Sequence, residues 1–158
     1  MNARVAWFAL LAAAPVVAEA QGRGSERCTI AGDRQTAIQL PSGQRNSFMG
    51  GGVLVRCPTS DLTLRADSLE SYGDEGRIYL LGNVHYTEPR LTLSSSYLTY
   101  YQRDERIVAN GNVDAVLPSG SSMQGPTAEY FRAIPGTRPA TRLYSSGRPT
   151  YNIVQNDS

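Results

Sequence analysis

The side chains that could carry out catalysis are few, and their surroundings do not favour an enzyme. His85 is the single histidine of the chain, and it lies in an alternating stretch with no evident serine or cysteine partner. Two acidic pairs, Asp74-Glu75 and Asp104-Glu105, suggest the paired carboxylates of glycoside hydrolases, but both fall in polar turns, where charges are usually solvated. The triple glycine at 50–52 is not followed by the residues of a phosphate-binding loop. We therefore expect no enzyme and no cofactor.

The two cysteines have the pattern of a disulfide rather than of a metal site. Cys28 and Cys57 form an even pair in a chain with an export-like start, which favours oxidation. Neither has a second cysteine at ligand spacing, so we expect no metal. We predict a Cys28–Cys57 disulfide, whose loop-closure entropy would stabilise the fold by about 3.5 kcal/mol.

The first twenty residues have the pattern of a secretory signal peptide. Arg4 supplies the positive charge, residues 5–17 are apolar, and Ala18-Glu19-Ala20 provides a cleavage site. The apolar run is shorter than the roughly 20 residues that a membrane span needs, although an uncleaved anchor is the alternative. We predict cleavage after Ala20 and export to the periplasm. The formal net charge of +1 gives no reason to expect nucleic acid as a partner.

An internal repeat predicts the secondary structure of the rest of the chain. Residues 62–84 and 91–113 have equal length and align without a gap at an offset of 29. Such a period is typical of stacked or coiled architectures, in which each unit buries its apolar face against the next. Both copies alternate apolar and polar residues with a period of two and are separated by polar turns. The sequence predicts an all-β domain over residues 21–155, followed by a frayed tail at 156–158.

Both copies end in Gly-Asn-Val, at Gly82-Asn83-Val84 and Gly111-Asn112-Val113. A glycine inside a strand pattern marks a bulge or a bend. The alternation continues on both sides, so we predict a bend that curls the sheet, with an ordinary hairpin turn as the alternative. A degenerate third unit begins near Ser122, and Gly147-Arg148-Pro149 lies near its expected end; an earlier unit spans residues 36–55.

Other short motifs accompany the two Gly-Asn-Val copies, namely Ala66-Asp67, Leu98 with Tyr100, and Ala128-Glu129-Tyr130. Together these motifs resemble the OstA-like domain of periplasmic lipopolysaccharide-transport proteins of the LptA type, a domain that also forms the N-terminal part of LptD. The resemblance is strongest over residues 62–130, while the two cysteines and residues 21–56 lie outside it.

The resemblance implies an open β-jelly-roll, a curled two-sheet trough built from repeats of about 29 residues, whose apolar interior holds the acyl chains of lipopolysaccharide or a similar glycolipid. It also implies partners of the same kind, joined by edge-strand pairing into a bridge towards the outer membrane, with head-to-tail self-association as one route. The core of an ordinary β-sandwich is the alternative role for the same side chains. The predicted lining residues are Leu62, Leu64, Ile78, Leu80, Val84, Tyr86, Leu91, Leu93, Leu98, Ile107, Val113 and Met123.

A second function remains open, that of a secreted β-sandwich that binds carbohydrate or has a purely structural role in the envelope. The orientation of the tyrosines distinguishes the two functions. Inward or rim positions favour lipid, whereas a flat exposed row favours stacking on sugar rings. The tyrosines in question are Tyr72, Tyr86, Tyr100, Tyr101 and Tyr130.

Overall fold

A computed structural model describes residues 28–154, which form one antiparallel sheet of nine strands. The predicted signal peptide and the tail at 156–158 lie outside the described residues. No helix long and apolar enough to cross a membrane is found in the described range. The strands are β1 (Thr29–Gln39), β2 (Arg45–Cys57), β3 (Leu62–Tyr72), β4 (Arg77–Glu88), β5 (Leu91–Tyr101), β6 (Arg106–Val116), β7 (Ser122–Phe131), β8 (Arg142–Ser146) and β9 (Thr150–Asn152).

Each strand up to β8 pairs with its neighbour in the sequence, and β9 pairs with β7. The predicted alternation places one face of the sheet inside. In β5, Leu91, Leu93 and Ser95 are buried, and Thr92 between the two leucines is exposed. The inner faces of β2 to β7 meet in a single apolar cluster. Two facing sheets were expected as the walls of the trough. In the structure, one curled sheet forms both walls.

A row of bulges crosses the sheet, as the Gly-Asn-Val repeat predicts. The register of β4 with β5 shifts between Leu81 and Val84, where Gly82 and Asn83 have φ angles of +75° and +46°. The Gly111-Asn112 pair in β6 has φ angles of +75° and +50° at the equivalent shift. In β2 the same place is taken by Gly51-Gly52, with φ angles of +82° and +89°. The bend predicted at Gly82 and Gly111 is thus confirmed, and β2 contains a third bulge that the repeat did not predict.

The third repeat unit also has its bulge. Gly147 and Arg148 have φ angles of +79° and +64°, and they separate β8 from β9. Both short strands pair with β7, on either side of this interruption. The degenerate end predicted at Gly147-Arg148-Pro149 therefore continues the bulge row to the last strands of the sheet.

The sheet has two edges that are not joined to each other in the described residues. The first edge is β1, in which every residue is exposed and none belongs to the apolar cluster. A disulfide joins Cys28 to Cys57 at the end of β2, with an S–S distance of 2.03 Å, so the predicted bridge is confirmed. The opposite edge consists of β8 and β9. The architecture is therefore an open, all-β roll, in agreement with the predicted fold class.

Candidate functional site

The inner face of the roll brings together all twelve residues that the sequence predicts as its lining. Ten of them are no more than 7% exposed, and Leu62 and Ile78 are partly buried against the same cluster. Their contact with a lipid stays a prediction. The cluster also contains residues that the prediction missed, namely Val53, Ala66, Leu69, Ala109, Ala115, Ala128 and Tyr130.

These inner side chains pack against one another. Val84 and Ala109 have no exposed surface, and Leu91, Leu93 and Leu98 are 1% exposed. Protein interiors packed to this degree have few voids larger than a water molecule. A long apolar ligand would therefore have to part the two walls of the roll, and the contacts that hold the walls together become part of the site.

The apolar inner face extends to both open edges. Ile30 of β1 pairs with Val55 on the inner side and is 47% exposed. Tyr151 of β9 pairs with the buried Met123 and is 56% exposed. Directly paired residues share a face of the sheet. The interior is therefore bordered at each edge by an apolar side chain that is open to solvent.

A polar cluster joins the two walls of the roll, and we call it the latch: Tyr86, Glu88, Tyr100, Glu105, Tyr130 and Arg132. At its centre is the carboxylate of Glu88, whose side chain is 6% exposed. The hydroxyl of Tyr86 donates to it at 2.8 Å, and the hydroxyl of Tyr130 donates to its other oxygen. Nε of Arg132 lies 3.3 Å from the same carboxylate. A buried charge with this many partners is stabilised rather than left unpaired.

The latch shows how strongly the sheet curls. Glu88 ends β4 and Tyr130 lies in β7, with β5 and β6 between them. Three steps of about 4.8 Å would separate these strands by about 14 Å in a flat sheet. The direct hydrogen bond between the two side chains is possible only because the sheet folds over on itself.

A second carboxylate extends the latch. Glu105, in the turn before β6, accepts a hydrogen bond of 2.8 Å from the hydroxyl of Tyr100 and lies 3.4 Å from Nη1 of Arg132. The backbone carbonyl of Arg132 in turn accepts a hydrogen bond of 2.6 Å from Arg138. Arg132 thus bridges two carboxylates, one at the end of β4 and one in the turn before β6. The expectation that both acidic pairs carry only solvated charges does not describe Glu105.

The electrostatics of the latch favour protonated tyrosines. Burial, with the charge and hydrogen bond of Glu88, raises the pKa of Tyr86 far above its usual value. Burial and a hydrogen bond to Glu88 raise the pKa of Tyr130, and burial with the hydrogen bond to Glu105 raises that of Tyr100. For Arg132, burial lowers the pKa, but Tyr86, Glu88 and Glu105 outweigh it and raise the pKa overall. The raised pKa values keep the three tyrosine hydroxyls protonated, so these groups act as hydrogen-bond donors in the latch.

A cleft of about 470 Å³ opens beside the latch, between the turns at opposite ends of the strands. It is lined by Glu88, Arg90, Tyr130 and Arg132 together with Pro135 and other residues of the segment before β8. The latch therefore lies at the boundary between the apolar interior and solvent.

The tyrosines that separate the two proposed functions divide between the faces. Tyr86 and Tyr130 are buried in the interior, and Tyr100 packs against the same cluster. Tyr72 lies edge-on to Phe48 at 5.8 Å, and Arg106 lies over the ring of Tyr101 at 4.1 Å. These five tyrosines do not form a flat exposed row, so their placement favours an apolar slot.

The residues with catalytic potential are dispersed. His85 is exposed on the outer face, where it pairs with Ser94. Asp74 accepts a hydrogen bond of 2.7 Å from Ser42 in another turn. No group of three or more histidine, cysteine, aspartate or glutamate side chains that could hold a metal occurs within residues 28–154.

Comparison with known proteins identifies the fold. No protein-family profile matches the chain, and no curated protein matches it in sequence. Thirteen solved chains match it in structure. One is LptH from Pseudomonas aeruginosa, described as the LptA-homologous periplasmic component of the conserved lipopolysaccharide transport device. The match has a TM-score of 0.59 and 15% identity, and covers 83% of this chain and 96% of LptH. The chain therefore has the fold of an LptA-type protein, as the resemblance implied.

Proposed function

We propose that this chain is a periplasmic component of a bridge that carries lipopolysaccharide or a similar glycolipid towards the outer membrane, with the acyl chains held on the inner face of the roll. The observation that carries the proposal is the continuity of this face. It runs from the buried cluster to Ile30 at one edge and Tyr151 at the other, both exposed to solvent. The shared fold with LptH, itself a transport component, supports the same function.

Such a site would bind its ligand only by burying apolar surface. Each methylene group that leaves water for an apolar surface contributes about 0.8 kcal/mol. A bound acyl chain would replace the contacts that the walls now make with each other, so the interior needs no cofactor and no catalytic group. The sugar and phosphate groups would remain outside, because burying them without partners is unfavourable.

A displacement experiment tests this assignment. The full chain is loaded with a fluorescent fatty acid, and lipopolysaccharide is then added in its native form or after removal of its acyl chains. We expect the native form to displace the probe and the deacylated form to leave it bound, because only acyl chains compete for the inner face. Equal displacement by both forms would contradict the proposal.

We further propose that the chain joins its neighbours through its edge strands, either head to tail with copies of itself or with other jelly-roll proteins of the same transport type. The exposed strand β1 supports this, since an edge strand presents unpaired backbone groups that template pairing with another chain. A photoreactive residue at Ile38 or Tyr151 should capture a partner in cells. The same residue at Ser119, in the exposed turn before β7, is the control and should capture none.

The proposed location rests on export through the signal peptide. N-terminal sequencing of the protein recovered from the periplasmic fraction should read from Gln21. A protein that retains residues 1–20 and sediments with membranes would instead support the uncleaved anchor.

A further inference from the structure

The outer face of the sheet carries a polar band that follows the row of bulges. On one side of the bulges, directly paired residues place a row of polar side chains across six strands, β3 to β7 and β9. The bulged residues themselves, Asn83 and Asn112, are exposed on the same band. The paired row consists of Arg65, His85, Ser94, Asp114, Gln124 and Thr150.

Two shallow grooves lie in this band and share Asn112. The first, of about 410 Å³, is lined by asparagine, histidine, serine and tyrosine side chains and contains no acidic residue, lysine or arginine. The second, of about 470 Å³, contains Asp114, Gln124 and Arg148. In the second groove, Gln124 donates a hydrogen bond of 3.0 Å to Asp114. The grooves thus offer fixed polar groups with little net charge.

The bulges add backbone groups to these grooves. A bulge leaves its extra residue unpaired and interrupts the hydrogen-bond ladder. Gly82-Asn83 lies in the first groove, and Asn112 borders both. The polar band therefore combines unpaired main-chain groups with amide and hydroxyl side chains at a recurring position.

One exposed aromatic ring lies in the first groove. Tyr97 is 55% exposed and pairs with Leu81 and Asn110 on the outer face. Tyr72 and Tyr101, by contrast, have aromatic or arginine neighbours. For Tyr97, no aromatic contact and no hydrogen bond of its hydroxyl is found among residues 28–154. Its ring is thus available beside the polar groups.

We propose that this band binds a neutral oligosaccharide, with a sugar ring stacked on Tyr97 and hydroxyl groups bonded to Asn83, Ser94 and Asn112. Uncharged polar groups beside an aromatic surface suit a ligand that has both apolar ring faces and many hydroxyl groups. The carboxylate of Asp67 borders the first groove, where it accepts a hydrogen bond of 2.9 Å from Asn83, so the groove disfavours an anionic ligand. The site lies on the face opposite the apolar interior and does not depend on lipid binding there.

The test is electrophoresis of the full chain in native gels that contain a soluble glycan. One gel contains an uncharged polysaccharide of the kind found on the outer part of lipopolysaccharide, and another contains glycol chitin, an uncharged soluble polymer of the N-acetylglucosamine found in peptidoglycan. Retardation is expected in at least one gel, and the gel in which it occurs identifies the source of the saccharide. Tyr97→Ala should weaken binding about tenfold, because the free energy of one aromatic contact corresponds to about a tenfold change in affinity. Ser94→Ala, a smaller change in the same groove, should weaken it less.

Tyr144→Ala provides the matched control, because Tyr144 is 51% exposed on the same outer face but lies outside both grooves. The Tyr144→Ala variant should migrate like the unaltered protein in both gels. Raising the salt should leave the retardation unchanged, because no ion pair is involved. The proposal is overturned if neither glycan retards the protein, if Tyr97→Ala and Tyr144→Ala behave alike, or if salt abolishes binding. Displacement of the fatty acid probe is measured in parallel, so that failure of this site is distinguishable from failure of the interior.

Discussion

The hydroxyl of Tyr130 in β7 donates a hydrogen bond to the carboxylate of Glu88 at the end of β4. The two residues are 42 positions apart in the sequence, and two further strands separate them in the sheet. This contact holds the walls of the roll together at the boundary of the apolar interior. It therefore links the stability of the fold to the opening that an acyl chain would require.

The first prediction concerns this hydrogen bond. Tyr130→Phe keeps the ring in place but removes one of the donors to the buried carboxylate of Glu88. Hydrogen bonds to charged groups contribute about 2 kcal/mol, and we expect the free energy of unfolding in urea to fall by about that amount. Tyr144→Phe is the control, because this exposed residue should change stability by less than about 0.5 kcal/mol. Similar losses in both variants would show that the latch does not hold the roll.

The second prediction concerns alkaline pH. Tyrosines in an unfolded chain lose their protons near pH 10, whereas the pKa values of Tyr86, Tyr100 and Tyr130 are raised in the fold, first by burial. Above about pH 10 the folded state therefore binds more protons than the unfolded state, and stability falls as pH rises. Each such tyrosine contributes a slope that approaches about 1.4 kcal/mol per pH unit once its unfolded form has lost the proton.

Urea unfolding at a series of pH values from 9 to 11 measures this slope. Tyr130→Phe should show a shallower decline than the unaltered protein, because one of the coupled protons is gone. A stability that does not change across this range would mean that the tyrosine hydroxyls are not buried as described.

The third prediction concerns the bulge row. Gly111 has a φ angle of +75°, and a Cβ added there would lie 2.9 Å from Cβ of Ser96. Gly43 has a φ angle of +84° with nothing within 4 Å, so Gly43→Ala measures backbone strain alone. We expect Gly111→Ala to reduce the free energy of unfolding by about 2 kcal/mol more than Gly43→Ala, because overpacking adds to the strain. Equal effects would indicate that the strands are not this close at the bulge.

The fourth prediction concerns the disulfide. All of β1 lies outside the apolar cluster, and Cys28–Cys57 ties its start to the end of β2. Reduction should therefore release β1 first, and amide hydrogen exchange should accelerate in β1 while β4 to β6 stay protected. If protection is lost equally in all strands, β1 is an integral part of the cooperative fold.

The sequence was sufficient to predict the elements that local pattern determines. Alternation with a period of two identified the inner faces of β4 and β6, and the glycines at 82 and 111 located the bulges. These features depend on residues close together in the chain. The bulge in β6 also changes which residues of β5 point inward. Ser95 and Leu98 are both buried although they are three positions apart, because the register of β5 with β6 shifts between Ser94 and Tyr97. This shift could be recognised only from the strand pairing.

The latch could not be predicted from the sequence. Glu88 lies in a segment that reads as a polar turn, and its partners Tyr130 and Arg132 belong to a different repeat unit. Only the curl of the sheet brings them together. Tyr97 was missed for a related reason, because its exposure depends on the register at the neighbouring bulge.

Photo-crosslinking in cells tests the central claim most directly. A photoreactive residue replaces Leu80 or Ile107, each 2% exposed on the inner face, or Thr63 or Thr92 on the outer face. We expect lipopolysaccharide to be captured from Leu80 and Ile107 but not from Thr63 and Thr92. Equal capture from both sets, or capture from the outer set alone, would contradict it.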